Sequence, residues 1–92
     1  MIKPTIHLNG SSSERLLEGY CDASLAITRA LDKLTESAPN ARDYYPQGDE
    51  AFALARSEHS DRIKRLTSVQ AELRDLAEHV ADERDNRKES RS

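Results

Sequence analysis

The sequence predicts an all-α chain: a two-helix antiparallel hairpin with a short extended N-terminal lead, dimerising into a four-helix bundle. Three observations carry this. Leu17, Tyr20, Ser24, Ile27, Leu31 and Leu34 recur at alternating steps of three and four, the spacing of one helix face, broken only by a serine. A second stripe of the same kind runs through Leu66, Val69, Leu73, Leu76 and Val80. Between them, Pro39 to Gly48 carries helix-breaking residues at both ends and two of the three tyrosines.

The totals explain the expected partner copy. A chain of 92 residues forms one domain at most. Leu, Ile, Val and Phe together number 17, with no Trp, which is thin for a closed core. An isolated hairpin covers one stripe of each helix, so two hairpins are expected to share their apolar faces. The formal charge of −3 lacks the basic excess of a nucleic-acid footprint, so nucleic acid is disfavoured as a partner. Cys21 is alone and has no disulfide partner within the chain, which suits a reducing cytoplasm. No apolar run is long enough for a signal peptide core or a membrane span.

Within the lead, Thr5-Ile6-His7-Leu8 alternates like a short strand, and Asn9-Gly10 signals a turn. Such a segment either pairs with its copy or lies across the bundle. Ser11 with Glu14 reads as a capping box, with Ser12 as a rival cap. The first helix is then expected over about 12–37. Cys21 is expected as a small buried hydrophobe beside the stripe. Pro39 ends the helix by disfavouring the helical conformation at Ala38. A loop over 38–48 follows, and Asp49 opens a second helix expected to about 84. Its full stripe is Phe52, Ala55, His59, Ile63, Leu66, Val69, Leu73, Leu76 and Val80, with Arg62 and Ile63 competing for one position. Residues 1–84 thus form the helical domain. From Asp82 onward no apolar residue remains, so 85–92 read as a disordered charged tail. The second helix outruns the first, and its last turns need cover from the lead or from another subunit.

No phosphate-binding glycine loop, metal-ligand cluster or nucleophile motif is present, so neither an enzyme, a metal nor a cofactor is expected. The binding candidates are Arg42, Asp43, Tyr44, Tyr45 and Gln47 in the loop, with His59 on the stripe. A guanidinium, a carboxylate, two phenols and an amide within six residues can hold a phosphate, a base or a peptide. The same residues can instead lock the hairpin. Tyr and Arg are also enriched at protein interfaces.

The segments Thr5-Ile6-His7-Leu8-Asn9-Gly10, Pro39-Asn40-Ala41-Arg42-Asp43-Tyr44-Tyr45-Pro46-Gln47-Gly48 and Glu58-His59 resemble a set of small uncharacterised proteins from tailed phages and prophages. The resemblance covers most of the chain up to about Val80. It implies an accessory protein acting in the host cytoplasm, a class that often antagonises host defences. The expected function is therefore non-enzymatic: self-association, to a homodimer or larger, and binding of a host or phage protein. The alternative is an oligomer that sequesters a nucleotide signal through the Arg42–Gln47 loop.

Overall fold

The structure is a computed structural model that describes the backbone of residues 1–91 and the side chains of residues 1–86. Three helices follow the lead: α1 (Ser13–Glu36), α2 (Ala41–Tyr44) and α3 (Asp49–Arg91), with a 3-10 turn at Tyr45–Gln47. No strand occurs among the described residues.

Each boundary has a local cause. Ser12, the rival cap rather than Ser11, stands before α1, and its hydroxyl accepts from the Arg15 amide at 3.1 Å. At the other end the Ser37 N–H donates back to the Lys33 and Leu34 carbonyls at 3.0 and 3.1 Å. The connection expected as a loop is built of tight turns. Asn40 caps α2: its Oδ1 accepts from the Asp43 amide at 3.2 Å, and its Nδ2 donates to Asp43 Oδ2 at 3.0 Å. Gly48, at φ 99° and ψ 167°, then turns the chain into α3 through a conformation open essentially to glycine alone.

α1 and α3 pack antiparallel. Gln70 of α3 meets Ser24 and Thr28 of α1. Leu34 shares a cleft with Leu66, and Tyr20 shares one with Leu73 and Ala77. Every member of the α1 stripe is half-buried, as are Phe52, Ala55, Ile63, Leu66, Leu73 and Leu76. Ile63, not Arg62, takes the contested position. Val69 is a correction to the stripe: it is 45% exposed, and Gln70 occupies the seam instead. Steps of four, three, four and three from His59 through Ile63, Leu66, Gln70 and Leu73 keep the seam facing α1. Cys21, expected as buried, is exposed, one residue past the half-buried Tyr20.

α3 continues past 84, where the sequence reading ends it, through Arg91. Its last turns lack apolar residues, but Glu, Arg and Lys are good helix formers and no Gly or Pro interrupts them. Of the expected charged tail, Ser92 and the side chains beyond Asn86 lie outside the described residues.

The lead lies along the distal part of α3. A turn closed by Gly10 N–H to the His7 carbonyl at 3.1 Å folds it back from α1. Its ends of contact are polar: the Ile6 N–H donates to Glu83 Oε2 at 2.9 Å, and His79 Nε2 lies 2.8 Å from the Pro4 carbonyl oxygen. Ile6 and Val80, at 8% and 0% exposure, form the whole buried hydrophobic core among the described residues. The fold as a whole is a rod of 68 × 20 × 20 Å whose apolar seam is only half covered.

Candidate functional site

At the turn end of the rod, Phe52 organises its surroundings. Tyr44 packs against it with ring centroids 6.2 Å apart and planes tilted by 33°. One turn along α3, the Arg56 guanidinium carbon sits 5.6 Å from the centre of the same ring. Phe52 thus ties the connection to α3 on one side and steadies a cation on the other.

The sequence candidates separate around this ring. Tyr44 and Gln47 line a cleft of about 210 Å³ against Ala51, Leu54, Ala55 and Glu58. Asp43 is drawn into the α2 cap by Asn40. Arg42 is exposed, and Tyr45 is 83% exposed. His59 lies in a different cleft, of about 400 Å³, formed where Ala38 and Pro39 pass over Arg56, Ser60, Ile63 and Lys64 of α3.

His59 is 8% exposed, and its Nε2 has no hydrogen-bond partner among the described residues. A buried polar atom left unpaired costs about 1–3 kcal/mol. The charges around it are unevenly paired. Arg62 lies 3.7 Å from Glu58, and Arg65 Nε donates to the Asp61 carbonyl at 3.4 Å. Arg56 and Lys64, by contrast, face no carboxylate within ion-pair distance among the described residues. Arg56, Ser60 and Lys64 follow one another at steps of four on one helix face, with His59 three residues after Arg56 and one before Ser60, a spacing readable in the sequence.

The far end holds a second polar cluster that sequence spacing did not reveal. His79 Nε2 is 3.3 Å from Glu83 Oε1 and also 2.8 Å from the Pro4 carbonyl. A carbonyl oxygen only accepts, so Nε2 donates to Pro4, with the Glu83 carboxylate close by. Here the imidazole and carboxylate are spent on holding the lead. His7, also in the lead, folds its ring over Gly10, where a Cβ would come within 2.8 Å of Nε2.

Among the described residues, no group of three or more His, Cys, Asp or Glu is placed to hold a metal ion, and no helix is long and apolar enough to cross a membrane. Comparison with family models, with curated proteins and with solved structures finds no match.

Proposed function

We propose that the chain is a non-enzymatic interaction protein that pairs with a second copy of itself, as a four-helix bundle, and docks a host or phage protein. The supporting observation is the uncovered side of α1. Gly19, Ala23, Ala26 and Ala30 recur at steps of four, three and four, and all four are exposed. A Cβ built on Gly19 meets nothing within 4 Å, so nothing within the chain requires the missing side chain. Small residues in such a row let a second helix approach closely, and the half-buried Ile27 and Leu34 beside them supply apolar area for it. With Ile6 and Val80 the buried hydrophobics among the described residues, the partner helix completes a core that one copy leaves open.

The resemblance to tailed-phage accessory proteins suggests the setting, the host cytoplasm, and antagonism of a host defence as the role. The test is Ala23→Glu. At an exposed helix position this change costs a monomer little. In the paired form it buries a charge, so sedimentation should show monomer for the variant and dimer for the parent. A variant that stays dimeric overturns the α1 face as the interface.

A second reading, sequestration of a nucleotide by the loop, has one observation in its favour, the Tyr44–Gln47 cleft. It predicts that a nucleotide raises the melting temperature and that Tyr44→Ala abolishes the rise.

A further inference from the structure

We propose that the cleft between Pro39 and α3 is a binding site for a phosphate monoester with an apolar body, held by Arg56, His59 and Lys64. This site is separate from the loop cleft and independent of pairing.

The donor set determines the ligand class. Arg56 and Lys64 contribute two positive charges that no carboxylate among the described residues neutralises, and no acidic side chain lines the cleft. Two cations match a dianion better than a singly charged carboxylate. Ser60 adds a hydroxyl at the same wall. His59 adds a buried ring nitrogen whose hydrogen bond is unmade within the chain, and which a phosphate oxygen would complete once a flexible lining side chain shifts. Arg56 is already steadied by the Phe52 ring, so less side-chain freedom is lost on binding.

The remaining lining is apolar: Ala38, Pro39 and Ile63. At about 400 Å³ the cleft falls within the range of small-molecule sites, about 300–1,000 Å³, and is larger than a bare phosphate needs. The apolar wall therefore has room for the body of the ester.

The experiment is titration of the full chain with phenyl phosphate, followed by nuclear magnetic resonance and calorimetry. Binding should shift the His59 and Ile63 resonances. Inorganic phosphate and benzoate should each bind more weakly, the first lacking the body and the second the dianion. Arg56→Gln and Lys64→Gln alter exposed positions and should keep the helical circular dichroism of the parent. Each should weaken phenyl phosphate about tenfold, the loss of one charge-assisted hydrogen bond. Absence of binding, affinity unaffected by both glutamine variants, or benzoate binding as tightly as phenyl phosphate would each overturn the proposal. The mass of the same samples in solution reports pairing separately, so loss of one property with retention of the other tells the two proposals apart.

Discussion

Glu83 accepts a hydrogen bond from the backbone N–H of Ile6 at 2.9 Å, joining residues 77 positions apart. The same carboxylate lies 3.3 Å from His79 Nε2, which in turn reaches the Pro4 carbonyl at 2.8 Å. One carboxylate and one imidazole thus fasten the lead to α3 beside Val80, the most deeply buried side chain described. Glu83→Ala should cost about 1.5–2 kcal/mol, the lower part of the range for a hydrogen bond to a charged group, because the side chain is 31% exposed. Each kcal/mol lowers the melting temperature of a domain this size by about 4–8 °C. Hydrogen exchange at the Ile6 amide should accelerate in the variant. Unchanged exchange there would mean that the lead is held by its apolar contacts alone.

Val80 and Val69 offer a matched pair on one helix. Val80 is fully buried, and truncation to alanine should cost about 2 kcal/mol, two methyl groups plus an incompletely collapsed cavity. Val69 is 45% exposed, and Val69→Ala should change the stability of a monomer by less than about 0.5 kcal/mol. Chemical denaturation at low protein concentration makes the comparison. Equal losses would place Val69 in the seam.

Gly48 sits at φ 99° and ψ 167°, a region that side-chain-bearing residues avoid. Gly48→Ala should therefore destabilise the chain by about 1–3 kcal/mol, although its Cβ meets nothing within 4 Å. The cost comes from the backbone, not from crowding. A thermal melt that matches the parent would show that the connection can enter α3 by another route.

Gln70 donates to the Ser24 carbonyl at 2.9 Å and lies 2.8 Å from the Thr28 hydroxyl. A polar layer in an apolar seam fixes register at some cost in stability. Gln70→Leu should hold or raise the melting temperature while broadening the distribution of assembled species in native mass spectrometry. A single species of parental mass would show that register is set elsewhere.

The two stripes were legible because a period near 3.5 survives in the sequence even where Ser24 and Gln70 interrupt it. Val69 was misplaced by one residue because hydrophobicity alone assigned it inward, whereas the seam needed a donor opposite Ser24 and Thr28. The connection read as irregular because Asn40, its organising cap, serves a helix of only four residues, too short to leave a periodic signal. That the distal turns of α3 need cover is legible from the length by which the second helix outruns the first. Which segment supplies it was not legible, since Pro4 and His79 are 75 residues apart and no local pattern links them. At the candidate site, His59 stood out by residue type. Its spacing from Arg56 and Lys64 could be read from the sequence, but its burial and unmet hydrogen bond emerge only when Pro39 closes the cleft.

The central claim, that one copy leaves its core open and a second copy completes it, is tested most directly by light scattering of the full chain across a dilution series. The account predicts a stable dimer that dissociates only at the lowest concentrations, with melting temperature falling as the protein is diluted. A folded monomer of 10.4 kDa at all concentrations, with a melting temperature independent of dilution, would contradict it.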